Sequence, residues 1–566
     1  MSSPELEPVE TIQTGQEKLR SGEVLLLAGS VLSLILGCIF WSAHKQGWMD
    51  EIFTWKEVND PSLWHLYWAI QHGADGGQPL FYTTVWLWAR AFGSSFLSLR
   101  LYSCAAMCAA LVVTWTTLRR SYGMWATAFG VLCVWCTSGL MLDQNAEGRF
   151  YGLYVLAVAI TVAVYARLTE RQEPSWGLLA AAFFSQAALV LTHVLGIFYG
   201  GLILVALIIF DLSRKWFRPK VYLAYAAGWL ALLTWIPAIR ASMAAGTPQG
   251  WILPPHLRDL PGAYGLEMGW QLLVWLRSHW PRIFPPAIYH LPELFVGAVL
   301  LASAYLWWSR RGDGARSTGT ARGGTALVLL AFVMFAAPCV LFLLSLAVTP
   351  VLVPRYVLPD SIGLAILLAC LAEALGDHLP RPGKLLHFAR GTAIGLLLIF
   401  PIVSFVAIDD LSTKSYLDVQ RVERDLPPDA VVVVEWQHDF SRMMRFSPRP
   451  TRFFYLLDWN TALHGPRGLI LDYHLMRSFR QAGYFASNIE DQNTFFCSHP
   501  NFYVLNRDQW FETTIGKMPQ FAWKRIDILD DSFERDLYSV HEIAPFPFCK
   551  TVEPTPQSGQ DREGAP

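Results

Sequence analysis

Gly47-Trp48-Met49-Asp50-Glu51 follows directly on the first long apolar run of the chain, Glu23 to Trp41. A run of that length is what an α-helix needs to cross a bilayer. No small-residue cleavage pattern of the A-x-A kind follows Trp41, so the run reads as a retained anchor and not as a cleavable signal. Two adjacent carboxylates just outside such a helix do nothing for hydrophobic anchoring, and an ionisable pair at that depth marks a functional site. The alternative is a helix that ends in solvated acids. Asp50, with Glu51 beside it, is the candidate catalytic centre, and the rest of the chain weighs the two readings.

The 566 residues are 53% hydrophobic and only 16% charged, beyond what a soluble domain of that size requires. The composition is that of a multi-pass membrane protein, and 24 Trp and 20 Tyr supply rings suited to the two membrane interfaces. A net charge of −1 argues against a nucleic-acid partner.

Working outward, about eleven apolar runs follow one another: roughly 24 to 42, 98 to 117, 124 to 142, 150 to 168, 176 to 192, 195 to 212, 221 to 239, 293 to 308, 325 to 348, 360 to 376 and 391 to 408. Alternate loops carry the basic residues, at Arg119-Arg120, Arg167 and Arg171, Arg214 to Lys220, Arg310 to Arg322, and Arg381 to Arg390, which places these loops in the cytoplasm. The amino-terminal tail (1–22) is then inside. The loop after Trp41, the turns near Gln144, His193 and Arg355, and the carboxyl-terminal region are outside. Pro79 to Gly93 is short, contains Arg90 and would invert every later loop if it crossed, so it reads as an interfacial amphipathic helix. Gly73-Ala74-Asp75-Gly76-Gly77 reads as a flexible joint in the same outer loop.

The outer side gathers the remaining polar motifs. Gln144-x-x-Glu147-x-Arg149-x-Tyr151 sits between two apolar runs, His193 interrupts the apolar stretch from Trp176 to Leu212, and Arg355-Tyr356 lies between Pro354 and Pro359. Their bland readings are a solvated hairpin with a Glu147–Arg149 pair, a helix-end histidine satisfied by backbone, and an interface anchor.

Together, Asp50-Glu51, Gln78-Pro79-Leu80-Phe81-Tyr82, Arg100, the Gln144 to Tyr151 motif and Pro354-Arg355-Tyr356 resemble the polyprenyl-phosphate-dependent glycosyltransferases of the GT-C fold, family 39, the group of protein O-mannosyltransferases and lipid A aminoarabinose transferases. The resemblance spans roughly residues 20 to 410 and rests on order, spacing and common sidedness. Gly77-Gln78-Pro79 departs from the His-Pro-Pro of many relatives. The resemblance implies an inverting transfer from a polyprenyl-phosphate sugar donor to a hydroxyl of a lipid, glycan or protein acceptor. Asp50, with Glu51 as runner-up, would take the hydroxyl proton. Arg100, Arg149, Arg355 and Tyr356 would hold the donor phosphate. Gln78, Tyr82, Glu147 and His193 would bind or orient substrate. A divalent metal on Glu147 and His193 stays open, since one carboxylate and one imidazole define no metal by themselves. The implied place is the inner (plasma) membrane. A lipid-linked sugar transporter or flippase is the alternative, although its charges would spread toward the midplane.

Beyond Asp409-Asp410 the pattern changes. Ala430 to Trp436, Arg452 to Leu457, Phe502 to Asn506, Phe521 to Leu529 and Leu537 to Ile543 are strand-like and His438 to Phe446 is helix-like, which predicts a small extracytoplasmic α/β domain (411–550) after the membrane part (23–410). The tail 551–566 has a disordered composition. Seven of nine cysteines fall in apolar runs, so Cys497 and Cys549 are the pair expected to form a disulfide.

Overall fold

Every apolar run read from the sequence lies on helix. In the computed structural model, which describes residues 21–246, 250, 252–312, 319–378, 384–407, 417–465, 469–507, 510–530 and 535–551, α1 (Ser21–His44) leads into three short helices, α2 (Met49–Val58), α3 (Leu63–Gln71) and α4 (Pro79–Phe92). Then come α5 (Phe96–Leu118), α6 (Met124–Thr137), α7 (Gly139–Asn145), α8 (Tyr151–Thr169), α9 (Trp176–Thr192) and α10 (Gly196–Ser213). After α10 the helical part continues through α11 (Pro219–Trp229) and α12 (Ile236–Ala245) to the segments Leu291–Gly312, Gly319–Met334, Ala337–Ala347, Asp360–His378 and Lys384–Val403. The tail up to residue 20, Arg316, Arg381, Asp409-Asp410 and residues 552–566 lie outside the described residues.

Among the described residues, eight helical stretches, some joining two of these segments, are long and apolar enough to cross a membrane, and Met124–Thr137 and Trp176–Thr192 are shorter apolar helices. Helix is the form such runs must take in lipid, because it satisfies every backbone N–H and C=O internally. Small residues set the close crossings: a Cβ on Gly152 of α8 would stand 2.3 Å from the Ser103 carbonyl oxygen of α5. The run at 124 to 142 is not one helix. It breaks at Ser138, whose hydroxyl donates to the Leu266 carbonyl (2.6 Å) while Gly139 N–H donates to Glu267 O (2.9 Å), so a loop segment is wedged against the carboxyl-terminal end of α6. Pro79–Phe92 is a 14-residue helix, too short to span, with Phe81, Tyr82, Val85 and Ala89 buried.

The carboxyl-terminal region holds a six-stranded sheet ordered β3-β2-β1-β4-β6-β5, with β1 (Val432–Val434), β2 (Phe453–Leu457), β3 (Ile489–Asp491), β4 (Asn501–Asn506), β5 (Phe521–Asp530) and β6 (Arg535–Glu542). The first four are mutually parallel and β5–β6 is an antiparallel hairpin added beside β4. All three residues of β1 are buried, as a central parallel strand covered on both faces requires. Strand β3 and the helix Leu469–Gln481 are additions to the pattern read from sequence.

This sheet region docks on the segment between α1 and α5: Phe53, Ala69 and Ala74 share one apolar core with Val432, Phe440 and Phe479. Arg442 donates to Gly47 O (3.2 Å), Tyr484 OH to Asp60 Oδ2 (2.8 Å) and Ser478 Oγ to His72 O (2.9 Å). Cys497 and Cys549 are bonded, with Cα atoms 5.4 Å apart across a sequence separation of 52. A cross-link of that span removes about 4 kcal/mol of chain entropy from the unfolded state. Alkylation of the denatured, unreduced protein should therefore leave both cysteines unlabelled, and Cys497→Ser should lower the melting temperature.

Candidate active site

Adjacent residues on a helix point about 100° apart. At the start of α2 this separates the two carboxylates into different environments. Glu51 turns inward and is fully buried. Its two oxygens accept from Arg100 Nε (2.8 Å) and Nη2 (2.7 Å), and further bonds come from Gly148 N–H (2.9 Å) and Trp48 N–H (3.2 Å). Asp50 turns the other way and keeps a 21% exposed side chain, its Oδ2 3.8 Å from Arg355 Nη1. Asp50 is the carboxylate that a substrate can reach.

The sequence points to Arg100 as a phosphate ligand, and the geometry of the guanidinium is against it. Besides the two bonds to Glu51, Nη1 donates to Ser42 O (3.1 Å) and Lys45 O (3.0 Å) and Nη2 to Gln46 O (3.2 Å). An arginine has five N–H groups, and all five are engaged. Glu51 and Arg100 hold the site together and neither faces its opening.

Arg149 differs. It is 6% exposed, its Nη1 donates to Asp75 Oδ2 (2.8 Å), Thr54 Oγ1 (2.8 Å) and the Asp50 carbonyl (3.4 Å), and its Nε has no hydrogen-bond partner among the described residues. The Glu147–Arg149 pair that a plain solvated hairpin would have made does not form. Glu147 Oε2 instead accepts from the buried ammonium of Lys45 (2.9 Å), which also binds Asp143 (2.8 Å). Burial pushes the Glu147 carboxyl up despite Lys45, while the two acids outweigh burial and hold Lys45 protonated.

His193 ends α9. Its Nδ1 accepts from Leu195 N–H (3.1 Å), which places the ring proton on Nε2. The ring lies among Phe150 (4.8 Å), Tyr154 (4.8 Å) and Tyr356 (5.4 Å). Burial, then the charges of Arg355 and Arg149, push its pKa down to about 3. Arg355 and Tyr356 form the short turn Pro354–Val357, where the proline sets the backbone, and the Arg355 guanidinium lies 5.9 Å over the Tyr151 ring. Gln78 stands at the N-cap position of α4 with a buried Oε1 that lacks a partner among the described residues, and the Tyr82 hydroxyl lies within hydrogen-bond distance of Asp75 Oδ2 (2.6 Å) and Glu57 Oε2 (3.0 Å).

The structure thus brings Asp50, Arg149, Arg355, Tyr356 and His193 together, and sets Glu51 and Arg100 behind them. Sequence reasoning missed Lys45, Glu57 and Asp75. Lys45 directly follows the first apolar run and Asp75 is the one acid in a glycine-rich connector, and each was hidden by a bland local context. Among the described residues no three His, Cys, Asp or Glu side chains converge as metal ligands, and Glu147 and His193 have the other partners given above.

Fold and site define a multi-pass membrane protein with one carboxylate and two guanidinium groups gathered at the loop-covered end of its helices, under an α/β domain. Residues 75–239 match the family described as dolichyl-phosphate-mannose-protein mannosyltransferase. The chain is similar in fold to the crystal structure of ArnT from Cupriavidus metallidurans bound to undecaprenyl phosphate, at 11% identity over 92% of this chain and 98% of that one, with a TM-score of 0.50. The apo structure of the same protein matches at 11% identity, over the same shares of each chain, with a TM-score of 0.41. No curated protein matches in sequence. The fold is the GT-C fold that the motifs resemble.

One expectation follows from His193. Below its free value of 6.5 the unfolded chain takes a proton that the folded ring refuses until about pH 3, so the stability due to neutral His193 is complete above 6.5 and is lost as pH falls. Between pH 7 and pH 5 the loss is about 2 kcal/mol. Thermal melting across that range should show a shallower pH slope for His193→Gln than for wild type.

Proposed function

We propose that this protein is an inverting glycosyltransferase that moves a sugar from a polyprenyl-phosphate donor to an acceptor hydroxyl on the extracytoplasmic side of the inner (plasma) membrane. The observation that carries the reading is the accessible Asp50 carboxylate, 3.8 Å from Arg355 and backed by a buried Arg149 whose Nε is unpartnered among the described residues. The family match at 75–239 and the undecaprenyl phosphate in the ArnT structure support the donor class.

A hydroxyl is a weak nucleophile. Asp50 takes its proton as the oxygen attacks the anomeric carbon, the bond from that carbon to the phosphate oxygen breaks, and the polyprenyl phosphate departs as an anion that needs no proton. Arg355 and Arg149 flank the base and present planar donors to the phosphate oxygens on which charge grows. Tyr356 and His193 line the same wall, the neutral ring offering Nε2–H as a donor. Glu147 and Gln78 are assigned to orienting substrate, and each keeps a buried oxygen that lacks a partner among the described residues. Glu51 and Arg100 act by position. The sugar and the acceptor are set by contacts that these residues do not define.

The test is purified protein with radiolabelled polyprenyl-phosphate sugars, scored for release of the lipid phosphate. Asp50→Asn should fold and bind donor while turnover falls by roughly 10² to 10⁴. Turnover near wild type would remove Asp50 from the mechanism, and a protein that moves the labelled lipid across vesicles without releasing lipid phosphate would be the transporter instead. In the same assay Arg355→Lys should raise the donor KM, because a point charge replaces a bidentate fork.

A further inference from the structure

The connector Gly73 to Gly77 is not the loose joint its composition suggests. Asp75 Oδ1 accepts from Gly77 N–H (3.0 Å), and Oδ2 accepts from Tyr82 OH (2.6 Å) and Arg149 Nη1 (2.8 Å). Trp235 Nε1 donates to Gly77 O (3.0 Å), fastening the segment to the helical part, and the Ser478 bond to His72 O fastens it to the α/β region. Gly77 must be glycine: an added Cβ would lie 2.4 Å from the Tyr82 ring, the ring that holds Asp75.

Three groups compete for this corner, and their charges sort out. Tyr82 has one hydroxyl proton for two carboxylates, Glu57 and Asp75. Burial, and then the neighbouring Asp75, push Glu57 well above the usual range, which favours its neutral form. Burial also pushes Asp75 up, but Arg149 and the hydrogen bonds more than offset it and leave it below its usual value. One anion therefore faces one cation. A buried guanidinium left without that anion would be costly to keep in place, whereas the pair satisfies only the Nη1 edge of Arg149.

We propose that Asp75 is a positioning residue: through its ion pair with Arg149, locked by Tyr82, it fixes the guanidinium so that the Nε edge remains available to the phosphate of the donor lipid. This rests on the functional reading above and names the residue that makes its phosphate site. Asp75 does not touch substrate, and its effect is on the affinity for phosphate, carried through Arg149.

Binding of tritiated undecaprenyl phosphate to the purified full-length protein in detergent is the measure, with melting followed in parallel. Asp75→Asn should weaken binding about tenfold, Asp75→Glu should recover part of the loss, and Tyr82→Phe, which removes only the hydroxyl, should weaken binding less than Asp75→Asn. In an Arg149→Gln background Asp75→Asn should add nothing further. Wild-type affinity in the folded fraction of Asp75→Asn, with only the melting temperature lowered, overturns the proposal and leaves Asp75 a structural residue. If Asp75→Asn does not fold, Tyr82→Phe decides, and unchanged affinity there overturns the proposal as well. If Arg149→Gln itself binds undecaprenyl phosphate as wild type does, the phosphate assignment under the proposed function fails first, and this one with it.

Discussion

The pair between Glu51 and Arg100 is the constraint on which the loop-covered end of the molecule depends. It joins four pieces of chain: the end of α1 through the carbonyls of Ser42, Lys45 and Gln46, the start of α2 through Glu51, the body of α5 through Arg100, and the turn before α8 through Gly148 N–H. A buried ion pair is favourable only when its remaining donors and acceptors are satisfied, and here every guanidinium N–H has a partner. Removing either member would leave a buried charge, at about 3 to 5 kcal/mol. Because Asp50 is the next residue on the same helix, the pair that fixes Glu51 also fixes the direction in which Asp50 points. Adjacent acids that look equivalent in sequence are one buried strut and one accessible carboxylate.

Much of this was legible before the structure. The apolar runs gave the helices because length and composition decide that question in lipid. The Lys and Arg bias placed Asp50, Arg149, His193 and Arg355 at one end, and the structure brings them together. The disulfide followed from where the other cysteines fall. What stayed hidden were choices of partner. Nothing in Glu147-Gly148-Arg149 says that Glu147 takes Lys45 and Arg149 takes Asp75, since both partners lie in other segments and meet them only through packing. Asp75 in particular reads as turn chemistry, because the glycines around it dominate any local pattern. The break at Ser138 was equally invisible: the apolar run continues through it, and the helix stops where the distant segment Leu266 to Gly269 bonds to Thr137, Ser138 and Gly139.

The placement of the α/β region has a physical reason that bears on the site. Helices α2 and α3 have 10 and 9 residues, too short to hold their form in water from propensity alone. They are stabilised by burial on two sides. Glu51 and Thr54 of α2 face the helical part, while Phe53 of α2 and Ala69 of α3 enter the apolar core of the sheet region. The contacts run along this segment from Gly47 to His72: Arg442 on Gly47, His438 against the Trp48 ring (4.4 Å), Tyr484 on Asp60, and Ser478 on His72. The first two bracket the residues just before Asp50, and the last lies three residues before Asp75. A soluble-type domain pressed on such a loop does what a longer helix would do in another fold, which is to remove the loop's freedom before substrate arrives. Catalysis by a carboxylate and positioned guanidinium groups depends on that preorganisation. The Cys497–Cys549 bond lies beside the other apolar core of that region, with Phe495, Phe496 and Phe546, away from the core that receives the loop.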